Sequence, residues 1–220
     1  MRALLLARWQ LAAGLWHTVS ITILASALAG VVAFVFGMLA VVRARVLRSL
    51  AIAYIEVFRG VPLVVQLFWL FFVLPLFGIE LPPLATAVLG LGLCNGAYGA
   101  EIVRGALVGV PTGQLEAAHI LGLSRYQTLR RVVLPQALPA MMPPLNNLSI
   151  ELLKATALVS LITIPDLAFQ AQTLRQTTMH SAPVFVLVLI LYFLLAQVLN
   201  LLFRRLEAFT GRRLDRGGLI

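Results

Sequence analysis

Val110-Pro111-Thr112-Gly113-Gln114-Leu115-Glu116-Ala117-Ala118-His119-Ile120-Leu121-Gly122-Leu123-Ser124, continuing to Val132-Val133-Leu134-Pro135, is a polar island between two apolar tracts. It carries Glu116, His119, Arg125, Arg130 and Arg131 together with Gln114 and Gln127, too many polar groups for the core of a bilayer. The flanks differ sharply. The tract from about Leu84 to Leu107 has no charge before Glu101, and the stretch between Pro144 and Pro165 holds only Glu151 and Lys154. An aqueous loop joining two apolar segments of membrane length implies a polytopic membrane protein. Composition agrees: 61% of the 220 residues are hydrophobic and 11% charged, with a mean hydropathy of +0.99. Soluble domains run at roughly 45–50% apolar and about 25% charged, so lipid must be part of this chain's solvent.

Working outward, three further apolar spans emerge. Between Arg8 and Arg43 lie 34 residues whose only titratable side chain is His17, which places a first helix near residues 14–42. It is too long and too late for a signal peptide. A second helix is expected over residues 51–77, before Gly78, Pro82 and Pro83, and a fifth over residues 182–203. The fourth should start only after Pro143-Pro144, because Pro135, Pro139, Pro143 and Pro144 forbid a continuous helix there. An all-α bundle of five transmembrane helices follows. It is organised as an outer N-terminal segment 1–13, a membrane domain 14–205 with its loop at 110–135, and a basic tail 206–220.

The net charge of +9 reads out topology. Arg43, Arg45, Arg48, Arg59, the loop arginines with Arg104, and the tail arginines from Arg204 to Arg216 fall on one side, leaving Arg2, Arg8 and Arg175 on the other. Cytoplasmic loops collect Lys and Arg, so the N-terminus is expected outside and the C-terminus in the cytoplasm. No basic stretch interleaved with aromatics points to nucleic acid. The sole lysine, Lys154, follows Leu153 inside a span, so the phosphate-cradling Gly-Lys-Ser/Thr loop is missing. His17, His119, His180 and Cys94 lack zinc spacing, no Gly-x-Ser-x-Gly elbow occurs, and Cys94 is expected to be a buried packing residue.

Within the loop, Gln114 to Leu121 has the composition of a short helix, with Ala117, Ala118 and Leu121 on a face another protein can approach closely. Gly122 supplies a stop, and a second short helix over residues 123–133 should end before Pro135. The sequence Glu116-Ala117-Ala118, then Gly122, then Leu134-Pro135 resembles the E-A-A loop of ABC importer permeases, with Val132 where Ile is commonest. Three more segments resemble the polar amino-acid branch of that family, which includes histidine and glutamine importers. They are Arg59-Gly60-Val61-Pro62-Leu63-Val64-Val65-Gln66-Leu67, Gly96-Ala97-Tyr98-Gly99-Ala100-Glu101-Ile102-Val103-Arg104-Gly105, and Leu152-Leu153-Lys154-Ala155-Thr156-Ala157-Leu158-Val159-Ser160. In the last, Ala155 and Ala157 replace the Asp and Ser of the common form.

The resemblance implies a type I ABC importer permease (MetI-like) bundle in a bacterial inner membrane. It implies a second permease copy or paralogue, an extracytoplasmic amino-acid-binding protein, and separate ATPase subunits that use ATP and Mg while this chain binds no cofactor. Gln114, Glu116, Ala117, Ala118, Gly122, Leu134 and Pro135 are then the ATPase-coupling residues. Glu151 and Lys154, at i, i+3 inside a span, either meet the two charges of an amino acid or form a structural ion pair. Gln66 and Asn95 either line the pathway or bond helix to helix, and Tyr98 is either a pathway residue or an interfacial anchor. Glu56 with Arg59 and Glu101 with Arg104 are read as snorkelling interface charges and intersubunit pairs. A stand-alone secondary transporter or channel is the alternative. It is disfavoured by the lack of an internal hydropathy repeat or a relay of ionisable residues across several spans.

Overall fold

The computed structural model describes residues 2–179 and 181–215, with side chains from residues 8–179 and 181–208. The expectations placed on His180 and on Arg216 in the tail lie outside the described residues. Every regular element among the described residues is helical. Four helices have the length and apolar character to cross a membrane, and a bent pair makes a fifth span.

The first helix, α1 (Arg2–Leu39), starts earlier than the charge pattern suggested, since Arg8 is a good helix former and does not interrupt the backbone ladder. After a short turn comes α2 (Arg45–Gly60), and then α3 (Leu63–Phe68), extended by a wide π turn Trp69–Val73 and a 3-10 turn Leu74–Phe77. The expectation of one continuous second span is wrong here: the chain bends by 100° between α2 and the segment Leu63–Phe77. Pro62 is the cause. Its ring disfavours helical geometry at the preceding residue, and Val61 is extended at φ −101°, ψ 131°. α2 buries Ala51 and Ile55 against α1 and α4, and keeps Arg45, Arg48, Glu56 and Arg59 exposed. Tyr54 fixes it in place, stacking on Phe36 at 4.0 Å and donating its hydroxyl to the Leu93 carbonyl at 2.6 Å.

The third span, α4 (Pro83–Val108), is the centre of the bundle and packs most extensively on α1. Small residues permit this. A Cβ added at Gly92 comes within 2.6 Å of Leu28, one at Gly96 within 2.6 Å of Val32, and one at Gly99 within 2.7 Å of Ala33. In lipid there is no hydrophobic force between helices, so close van der Waals contact of this kind carries the association. Leu91 of α4, Ile21 and Ala25 of α1, and Leu67 of α3 share one buried cluster with Leu152 and Val159 from later in the chain.

The loop holds α5 (Thr112–Ile120) and α6 (Arg125–Thr128), the latter widening into a π turn Leu129–Val133 that runs directly into α7 (Leu134–Ala155). Two expectations fail at this point. The second loop helix does not stop before Pro135, and α7 is continuous although it contains Pro139, Pro143 and Pro144. Proline fixes φ near a helical value and removes one N–H. Pro135, Pro139 and Pro143 recur every four residues, so the missing bonds line one half-exposed stripe while the rest of the ladder stays intact. A 3-10 segment Thr156–Ile162 completes the fourth span. α8 (Leu167–Thr178) then crosses to α9 (Ser181–Asp215), which packs on α7 through an Asn146–Asn200 amide bond of 2.8 Å.

Asp166 caps α8. Its carboxylate accepts the Phe169 N–H at 2.9 Å and the Tyr192 hydroxyl at 3.4 Å, and the Thr18 hydroxyl accepts the Leu167 N–H at 3.1 Å. One fully buried carboxylate thereby joins α8 to α9, with α1 alongside. Burial pushes its pKa up to about 6.

Candidate functional site

Two places gather polar groups: the corner between α2 and α3, and the loop carrying α5. At the corner, Arg59, Asn95, Tyr98, Glu151 and Ala155 line an open cleft of about 360 Å³ between α2, α4 and α7. Arg59 lies over the Tyr98 ring, its guanidinium carbon 5.3 Å from the centroid, and its carbonyl accepts the Tyr98 hydroxyl at 3.4 Å. An adjoining opening of about 400 Å³ shares Arg59, Tyr98 and Glu151 and adds Asn147 and Glu101. Glu101 is already engaged: Arg104 donates Nε to its Oε2 at 2.9 Å and a second nitrogen to Oε1. Among the described residues this is the one ion pair, so Arg59 and Glu151 face the cleft with their charges unneutralised.

The sequence-derived candidates divide on this geometry. Glu151, Asn95 and Tyr98 come together at the cleft. Lys154 does not join them, and the expected Glu151–Lys154 pair does not form, since both side chains are exposed and no contact links them. The spacing i, i+3 permits the pair but does not require it when each group has water or headgroups available. Gln66 is occupied elsewhere: its amide nitrogen donates to the Phe58 and Val61 carbonyls, both at 2.9 Å, tying off the end of α2 across the bend. Asn95 donates to Leu91 of its own helix at 2.9 Å. Glu56 and Arg59 do not pair either, and Arg59, read from sequence as an interface charge, instead stands at the cleft. Its signal was Pro62, which breaks the helix three residues later and turns Arg59 toward α4. Cys94 is buried as expected, its thiol facing the Phe58 carbonyl at 3.7 Å.

In the loop, Pro111 precedes α5, and Gly122 ends it with φ +69°, a conformation that side chains with a Cβ resist. Ser124 and Gln127 then form a reciprocal capping box that starts α6. Gln114 reaches Gln136 at the base of α7, 3.5 Å away, so it braces the loop from inside. Ala118 also turns inward, 2% exposed, which corrects its placement on an approachable face: the helix packs that edge against its own chain. Glu116 and Ala117 stay exposed. Beyond them Ile120 is 85% exposed, Leu121 76% and Tyr126 67%, an apolar tip on an otherwise polar projection. Ile120 and Tyr126 were missed from sequence because an isolated apolar residue in a short helix carries no periodic signal. Large apolar groups held in water in this way mark a contact surface for another protein.

Residues 26–212 match the family described as the binding-protein-dependent transport system inner membrane component. The chain belongs to that family. A probable amino-acid ABC transporter permease of Sinorhizobium fredii is 45% identical over 205 residues, covering 90% of this chain and 86% of the relative. The L-cystine transport system permease protein of Bacillus subtilis is 35% identical over 207 residues, covering 92% and 88%. A solved amino acid ABC transporter with histidines superposes with a TM-score of 0.85 at 30% identity, covering 93% of this chain and 96% of that one. An inward-facing methionine ABC transporter shares the fold with a TM-score of 0.78 at 24% identity. This is therefore an ABC transporter permease subunit, a multi-pass inner-membrane protein with the type I importer fold, and the E-A-A resemblance of the loop is that of a true family member.

Proposed function

We propose that this chain forms half of the translocation pathway of an ATP-driven, binding-protein-dependent amino-acid importer, pairs with a second permease copy or paralogue, and receives its power stroke through α5. The observation that carries the coupling role is the projecting loop: a braced base at Gln114, an exposed Glu116-Ala117 face, an apolar tip at Ile120 and Leu121, and a left-handed stop at Gly122. A rigid knob of this shape fits a cleft in an ATPase subunit and passes movement into α7 without a break, because α6 and α7 form one helical run. ATP and Mg belong to that partner. Amino acids as cargo follow from the permease relatives, whose names include cystine and glutamine systems, and from a cleft with one free cation and one free anion. The positive residues beside α2, in the loop and after α9 place these ends in the cytoplasm and the N-terminus outside.

Deleting Glu116 to Gly122 tests the reading. Membrane insertion should persist while ATPase co-purification and uptake into proteoliposomes are lost; uptake that survives the deletion, or that runs on an ion gradient without ATP and binding protein, overturns it.

A further inference from the structure

We infer that the cleft shared by Arg59, Tyr98 and Glu151 accepts a zwitterionic amino acid whose side chain is uncharged, and that Ala155 sets this preference. The inference rests on the proposed amino-acid pathway and concerns which cargo that pathway admits.

A free α-amino acid brings one carboxylate and one ammonium. The cleft of about 360 Å³ lies within the roughly 300–1,000 Å³ typical of small-molecule sites. Its wall offers one group for each charge: the Arg59 guanidinium, held by the Tyr98 ring, for the carboxylate, and the Glu151 carboxylate for the ammonium. Arg59 lies on α2 and Glu151 on α7, with α4 between them contributing Asn95 and Tyr98, so a single small molecule can touch three elements. The neighbouring acid, Glu101, is neutralised by Arg104, and Lys154 lies outside the cleft. After the zwitterion is satisfied, no charge remains.

What surrounds the remaining space is uncharged: Leu63, Cys94 and Ala155 beside Asn95. A substrate side chain bearing its own charge would be taken out of water against these groups without a partner, which is costly. An uncharged side chain meets an amide and apolar carbon. Ala155 is decisive because it lies one helical turn beyond Glu151 on the same face of α7, at the position where the common form of the L-L-K-D-T-S-L-V-S segment has an acid. An acid there would add a second negative charge to the cleft and admit a cationic side chain; alanine removes that option.

The test is direct binding of radiolabelled glutamine, arginine and glutamate to the full chain in lipid nanodiscs, with no binding protein to filter the cargo. Glutamine should bind at least about tenfold more tightly than either charged amino acid. Ala155→Asp should tighten arginine by about tenfold and weaken glutamate, while Ala155→Asn, equal in size without the charge, should leave the ranking as in wild type. Arg59→Gln should abolish binding of all three. Arginine or glutamate binding as well as glutamine to the wild-type chain overturns the inference, and this measurement stands even if Ala155→Asp does not fold. An unchanged ranking in a folded Ala155→Asp protein overturns it as well. Either result leaves ATP- and binding-protein-dependent uptake intact, whereas failure of the importer reading abolishes that dependence itself.

Discussion

Along the seam between α1 and α4, Gly92, Gly96 and Gly99 draw Leu28, Val32 and Ala33 so close that a methyl group has no room. In the loop, Ile120, Leu121 and Tyr126 stand in water with nothing of their own chain against them. The seam spends its apolar surface within the chain and is completed when the chain folds. The loop keeps its apolar surface back, and its structure is secured instead by Ser124, Gln127 and Gly122, local devices that need no core. The contrast separates two kinds of residue in one permease: those whose loss removes the protein and those whose loss removes only its partner.

The contrast can be broken most forcefully at Gly96. Gly96→Leu forces a branched chain into the space of Val32 and should cost at least about 3 kcal/mol, seen as loss of the monodisperse peak and a large fall in Tm in detergent; a near-normal melt would show that the seam is not a fixed contact. Next in size is Ile120→Asp. It should reduce ATPase co-purification by about 2 kcal/mol, some thirtyfold, while Tm stays within error, and a matching drop in Tm would erase the distinction between seam and loop. Gly122→Val comes third, placing a β-branched residue at φ +69° for roughly 1–2 kcal/mol; its expected signature is weakened coupling of ATPase activity to transport with insertion unchanged.

Asp166 gives the smallest effect and sharpens the comparison, because it is a seam residue with a charge. Asp166→Ala loses the α8 cap and should cost about 1 kcal/mol in thermal stability. Its folded pKa of about 6 lies above the ordinary 3.8, so the folded state holds the proton more tightly than the unfolded one. The resulting stabilisation is complete below the ordinary value and is lost as pH rises through about 6. Asp166→Asn keeps an oxygen for the Phe169 N–H without the charge. It should match or exceed wild type at pH 7.5 and flatten the Tm-versus-pH curve between pH 4 and 7; a curve of unchanged slope assigns the titration elsewhere.

The long apolar helices were legible because a span announces itself through absent charge: α4 falls within a residue of its expected limits. The loop was legible through spacing, and Gly122 does adopt the conformation that its identity invites. The bend at Val61-Pro62 was hidden because hydropathy averaged over residues 51–77 blends a two-faced α2 with an apolar α3. The continuity of α7 was misjudged because prolines were counted singly, although their four-residue spacing confines the damage to one stripe. The cleft was half legible. Glu151, Asn95 and Tyr98 stood out as polar groups in apolar spans, but Arg59 joins them only through the bend, a tertiary consequence that no local pattern reports.

That bend has a mechanical side. With 16 residues, α2 is about 24 Å long, and it meets the next segment at 100°. It is a crank arm whose bearing is Gly60-Val61-Pro62. A tilt of about 10° about this bearing carries the Arg45 end through about 4 Å at a rise of 1.5 Å per residue, yet moves Arg59, next to the axle, by well under 1 Å. The far end of the arm can follow a partner's stroke while the cation at the cleft stays almost where it was.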